Sequence, residues 1–166
     1  EPNGDPSDLC GLDLSAASLV GADLSGVNLA GASLVAAQLN DAALAGADLR
    51  SSDLSRASFL GANLSAVDLR GLDYQCQGQT VVGRPTRLSG ANLSNSTLSD
   101  AVFTDGEPIL DADPCGEAHP DAPELSGVYW AQADVEGAKM HSLSLERADL
   151  SFVNFARTDL RDVCLA

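Results

Sequence analysis

A bulky apolar residue returns at every fifth position along most of this chain. In ADLSGVNLAG, residues 22–31, Leu24 and Leu29 are five apart, and so are Ala22 and Val27, Asp23 and Asn28, and Gly26 and Gly31. An α-helix repeats its faces every 3.6 residues and a strand every two, so neither explains a period of five. With the large residue as position i, position i−2 is small or β-branched (Ala17, Val27, Ala37, Ala47) and position i−1 is polar (Asp13, Asn28, Asp48, Asn63). Glycine recurs at i+2, at Gly21, Gly26, Gly31, Gly46 and Gly61. Glycine held to one phase marks a turn that needs positive φ. Each unit is therefore expected to be a short extended piece and a corner, with i−2 and i pointing in and the other three positions out. A chain that turns the same way at each corner winds into a solenoid with leucine stacked on leucine.

The phase predicts where the solenoid runs. The centres fall at Leu9 through Tyr74, at Leu88 through Phe103, and at Leu125 through Leu165, which is 14, 4 and 9 units. One repeat domain is expected over 1–166, with an arm at 1–6, repeats at 7–76, 86–105 and 123–166, and insertions at 77–85 and 106–122.

The units ADLSG (22–26), VNLAG (27–31), ADLRS (47–51), ANLSA (62–66), ANLSN (91–95) and ADLSF (148–152) resemble the A(D/N)LXX consensus of the pentapeptide-repeat proteins. The resemblance implies an all-β fold, a right-handed quadrilateral β-helix with four units per coil and about 6–7 coils. With four faces numbered from Leu9, Tyr74 and Phe103 both fall on face two. Both insertions are then expected on one corner, one coil apart and lying on each other. Cys76 ends the unit before the first and Cys115 lies in the second, which makes Cys76–Cys115 the candidate disulfide; the alternative is two reduced thiols. Cys10 and Cys164 lie near opposite ends and are not expected to pair with each other.

The same numbering leaves face four nearly uncharged, with Asp23 and Asp149 alone among its outward positions. Its Ala43, Ala45, Asn63, Ser65, Asn92, Ser94, Tyr129, Ala131 and Phe152 form a candidate interface. Leu165 adds to it, because the repeat runs to the last residues with no capping helix, and such an end is expected to be covered by another chain or by further sequence.

Charge narrows the partners. The 166 residues carry 24 acids against nine bases, a net −15, so nucleic acid would be repelled. No run of 18 apolar residues exists, so no transmembrane helix and no membrane insertion is expected. The first residue is Glu1 rather than Met and there are four cysteines, which favours an exported form in the periplasm, the thylakoid lumen or outside the cell.

Catalysis has no foothold. His119 and His141 are the only histidines, neither joins a nucleophile and a carboxylate, and His141 is expected on the surface. No catalytic residue, cofactor or metal site is assigned. The resemblance implies two functions. One is a non-enzymatic scaffold that docks to a protein assembly through a face, the loops or the C-terminal end. The other is a DNA mimic that binds DNA gyrase in the cytoplasm, as quinolone-resistance members of the family do; the Ala/Leu-rich core and missing C-terminal helix argue against it. A crystal-binding wall is disfavoured by the irregular outward residues. Asp111 and Asp113, with Gly116 at the sixth position, begin like a calcium loop, but Ala122 stands where a bidentate Glu is needed. Titration calorimetry with calcium and with zinc is therefore expected to show no heat of binding.

Overall fold

The computed structural model describes residues 7–103, 123, 125, 127–141, 143–145, 147–161 and 163–164. It is an all-β solenoid. The backbone pairs in parallel with itself twenty residues on, Asp8 with Asn28, Asn28 with Asp48 and Asp48 with Asp68, and each side of the coil contributes one such bridge. Five-residue units and a twenty-residue return make a four-sided coil. Each bridge is a reciprocal pair of bonds: the Leu29 amide donates to the Asp48 carbonyl at 2.8 Å, and the Asp48 amide donates to the Val27 carbonyl at 3.0 Å.

The corners follow one rule. The amide of each i+3 residue donates back to the carbonyl of residue i, as Ala32 does to Leu29 at 3.0 Å. Residue i+2 then has positive φ, whether it is glycine (Gly21, 66°; Gly46, 68°) or not (Ala16, 57°; Arg56, 59°; Gln132, 61°). That is the conformation a type II turn needs at its third residue. The amide at i+1 is satisfied by the side chain at i−1: Ser15 by Asp13, Ala30 by Asn28, Arg50 by Asp48 and Ser65 by Asn63, at 3.0–3.1 Å. The polar residue at i−1 is thus a local backbone acceptor, the Asx use of a short side chain.

The interior is dry and narrow. Leu29, Leu34, Leu39, Leu44, Leu49, Leu54, Phe59, Leu64 and Leu69 are fully buried, with the small residues Ala32, Ala37, Ala47 and Ala57 filling the space between them. Farther along, Phe103 and Trp130 meet with ring centroids 5.8 Å apart. The Trp130 indole N–H is buried there without an acceptor among the described residues.

The first insertion differs from the expectation. Tyr74 is not a repeat centre. The chain leaves the coil after Leu69 and forms an antiparallel hairpin, β1 (Tyr74–Cys76) and β2 (Gln79–Val81). Gln77 and Gly78 turn it with φ of 51° and 76°, the two positive values of a type I′ turn. The coil resumes when Arg87 bridges Asp53 on face two. Leu88, Leu93, Leu98 and Phe103 therefore occupy faces two, three, four and one, each one face earlier than the phase of Tyr74 implied. The expected stacking of this hairpin on residues 106–122 lies outside the described residues.

The hairpin runs back along the corner of face one toward the first coil. The Arg50 guanidinium donates to the Asp73 carbonyl at 2.9 Å, the Ser51 hydroxyl donates to the Leu72 carbonyl at 3.3 Å, and the Asn28 amide group donates to the Gln75 carbonyl at 3.2 Å. Cys76 then reaches Cys10. Tyr74 packs against Gly31, where a Cβ would overlap its hydroxyl, whereas a Cβ at Gly21 would meet nothing. Both glycines have positive φ, 65° and 66°. Gly21→Ala is expected to cost about 1 kcal/mol, the left-handed penalty alone. Gly31→Ala is expected to cost about 1–3 kcal/mol more, because Tyr74 must also move. Urea unfolding of the two variants compares them.

Candidate interaction face

The bridges identify which outward residues share a side. Face three is the column Ser18, Gln38, Ser58, Asn92, Tyr129 and Asp149; face four is Asp23, Ala43, Asn63, Thr97, Asp134 and Asn154. The candidate interface therefore divides. Ala43, Ala45, Asn63 and Ser65 lie on face four, and Asn92, Ser94, Tyr129, Ala131 and Phe152 lie on face three. The cause is the hairpin, which consumes Tyr74 and moves every later unit back by one side. Leu165 lies outside the described residues.

With the register corrected, the least charged wall is face three. Its outward positions hold two charges, Asp41 and Asp149, while those of face four hold five: Asp23, Asp100, Asp134, Glu136 and Arg157. Face three also collects exposed apolar side chains: Val20 (53% exposed), Leu60 (41%), Tyr129 (56%) and Phe152 (88%). Phe152 stands at an i+2 corner with φ of 60°, a conformation unfavourable for an aromatic residue, and buries nothing there.

Face one, on the opposite side of the square, is built from charge. In its DLR units the arginine folds back on the aspartate two residues before it: Arg50 on Asp48 at 2.6 Å, Arg70 on Asp68 at 2.7 Å, and Arg161 on Asp159 at 2.7 Å. Arg50 also lies 3.8 Å from Asp68 of the next coil. The Arg161 side chain, bonding through its Nε and Nη2, lowers the Asp159 carboxyl to about 2 against the opposing effect of its partial burial; the Arg161 amide and the charges of Arg161 and His141 add to the lowering. In the DLS units, Ser15, Ser25 and Ser151 hold Asp13, Asp23 and Asp149 below the usual carboxylate range by their hydroxyls and then their amides.

The cysteines and histidine depart from expectation. Cys76 is disulfide-bonded to Cys10, with Cα atoms 5.6 Å apart, and not to Cys115, which lies outside the described residues. The pairing follows from the hairpin's direction, back toward coil one. Cys164 is disulfide-bonded as well, and no described cysteine is free. His141 is 2% exposed, a buried side chain rather than a surface one. His119 lies outside the described residues. A signal for the hairpin was present: Gln77-Gly78 between YQC and QTV is a two-residue turn between short strand-like runs.

Chemistry remains sparse. A cleft of about 300 Å³ between hairpin and corner is lined by Gly31, Ser51, Tyr74, Val81, Val82 and Arg84, without a carboxylate or imidazole for proton transfer. No cluster of metal-ligating side chains occurs among the described residues. No helix there is long and apolar enough to cross a membrane.

The family model described as pentapeptide repeats matches in eight copies, over residues 7–42, 32–71, 86–105 and 131–165. A search of the curated proteins found no match. Among solved structures, the chain is similar to HetL, a pentapeptide repeat protein involved in heterocyst differentiation regulation from Nostoc sp. strain PCC 7120, at 24% identity over 95% of this chain and 76% of that one, TM-score 0.37. It is similar to QnrB1, a plasmid-mediated fluoroquinolone resistance protein, at 20% identity over 90% and 77%, TM-score 0.32. A pentapeptide repeat protein of the Arabidopsis thaliana thylakoid lumen matches at 20% identity over 100% and 74%, TM-score 0.28.

The Asp159 shift sets a pH dependence. Its folded pKa lies below that of the unfolded chain, so its contribution to stability is fully present above about pH 4 and is lost as pH falls through about 2. Asp159→Asn is expected to be less stable than wild type at neutral pH, with the gap closing as the solution approaches pH 2. Denaturant titrations across that range measure it.

Proposed function

The chain belongs to the pentapeptide-repeat family, and we propose that it is a non-enzymatic docking scaffold whose face three binds a protein with an apolar centre and a basic rim. The observation that carries this reading is the concentration of Val20, Leu60, Tyr129 and Phe152 on the wall with only two charged residues, in a chain of net charge −15. Exposed apolar side chains gathered on one side of an otherwise charged protein mark an interaction site.

Area decides the partner's shape. Six bridged rows at ~4.8 Å, each about three extended residues wide, give a wall of roughly 300 Å². A stable interface needs about 800 Å² per partner. The partner must therefore wrap past the edges of face three. On the face-four side it meets Asp100, Asp134 and Glu136, which call for lysine or arginine opposite. A second copy of this chain fits poorly, since the partner must reach past face three to the acidic face-four side, where a copy would offer Asp100, Asp134 and Glu136 rather than a basic rim.

The test compares two pairs of substitutions at exposed or half-exposed outward positions. Leu60→Arg with Phe152→Arg is expected to abolish co-purification of the partner from the native source, while Ala45→Arg with Ser65→Arg on face four retains it. Raising the ionic strength should weaken the wild-type complex, because its rim is charged. Equal retention by both double variants discards face three as the site.

A further inference from the structure

The first described coil is less well covered than the second. Leu9, Leu14 and Leu19 pack against the core but stay half-exposed, whereas Leu29, Leu34 and Leu39, one coil on, are fully buried. Among the described residues, the ladder bonds of the first coil run to the second: Leu9 to Asn28, Gly11 to Ala30, Leu14 to Ser33 and Ala16 to Val35, at 2.7–2.9 Å. A repeat array frays from such a coil, unit by unit.

The hairpin acts against that fraying as a strap. Its root is tied to Arg50 and Ser51 in the third coil, Tyr74 sits on Gly31 in the second, and Gln75 is bonded to Asn28 there. Among the described residues, the tie between its tip and the first coil is the covalent bond from Cys76 to Cys10. This bond spans a sequence separation of 66 residues. Cys10 is 4% exposed while Cys76 is half-buried, so the Cys76 side of the crosslink is the more open to a reductant.

We propose that the Cys10–Cys76 crosslink is a reducible latch on the N-terminal coil, and that a dithiol reductant releases this coil from the strap while the coils behind it stay folded. The exchange balances without another reactant. A thiolate of the reductant attacks the Cys76 sulfur, the bond to Cys10 breaks, and Cys10 leaves as a thiolate that takes up a proton. The second thiol of the reductant then attacks the mixed disulfide and frees Cys76, which is protonated in turn. Two electrons pass to the protein, and the dithiol ends as its own disulfide. Detachment of the first coil uncovers the ladder carbonyls of Asn28, Ala30, Ser33, Val35, Gln38 and Asn40, an unpaired edge that oxidation keeps closed. The latch shares one residue with face three, Val20 of the first coil; hydrogen exchange on the protein without a partner reads the latch separately, so failure of either idea leaves the other standing.

Hydrogen exchange read by mass spectrometry tests it on three samples: oxidised wild type, wild type treated with dithiothreitol, and the double variant Cys10→Ser/Cys76→Ser. The double variant isolates this bond from that of Cys164, which dithiothreitol also reduces. The expected result is exchange at least about tenfold faster at the amides of Leu9, Gly11, Leu14, Ala16 and Leu19 in the treated wild type and in the variant, with Phe59, Leu64 and Leu98 unchanged. Unchanged protection of the first coil overturns the latch, since the hairpin would then hold without the bond. Loss of protection throughout the chain also overturns it, since the bond would be supporting the whole fold. Should the double variant fail to fold, Cys10→Ala/Cys76→Ala takes its place, and if that also fails to fold, the bond supports the whole fold and the latch is overturned.

Discussion

Each coil of this protein must return to register with the one before it after twenty residues. That requirement sets the chemistry of every unit. The parallel bridges from Asp8 to Asn28, Asp48 and Asp68 can form only if four corners turn by the same amount. Equal corners require a left-handed residue at each i+2, and the chain supplies one even where the residue is Ala16, Arg56 or Phe152. They also leave an amide at i+1 outside the ladder, and the aspartate or asparagine at i−1 accepts it. The polar consensus residue is thus part of the backbone's hydrogen-bond accounting. The leucines gain their burial because the ladder already holds them in a column.

Two opposed sides of the square carry different loads. Face one is occupied by folded-back Arg–Asp pairs and by the hairpin strap, so its polar groups are engaged with the protein itself. Face three carries neither pairs nor strap, and its apolar residues stand free of the core that the same chain packs so densely. The polar side is thus engaged internally and the plain side is left open.

The disulfide belongs to the same economy. A solenoid has no inherent cap, and here the first coil is secured from outside by an excursion of the fourth. The hairpin's direction determines what it covers: Gly31 under Tyr74, a fully buried Ala30 at an outward position, and Cys10 at the tip. Trp130, with its indole N–H unsatisfied among the described residues of the core, shows that filling the column outranked hydrogen bonding at that position.

The period of five was enough by itself to determine the solenoid, the inward positions and the positive-φ corner. All of these are properties of one unit, repeated, and each can be read from residues next to one another. Three features were decided only by the tertiary structure. Tyr74 has the spacing, bulk and burial of a repeat centre, yet it is buried under a hairpin; only the bridge from Asp53 to Arg87 reveals that the coil had already been left. That one unit moved Asn92, Tyr129 and Phe152 to another face and, with the hairpin's direction, gave Cys76 to Cys10. His141 likewise holds an outward position in its unit but is buried in the assembled fold. The common reason is that phase across an insertion is a long-range quantity: it depends on which backbone segments pair after the chain returns, and no five-residue pattern carries that information.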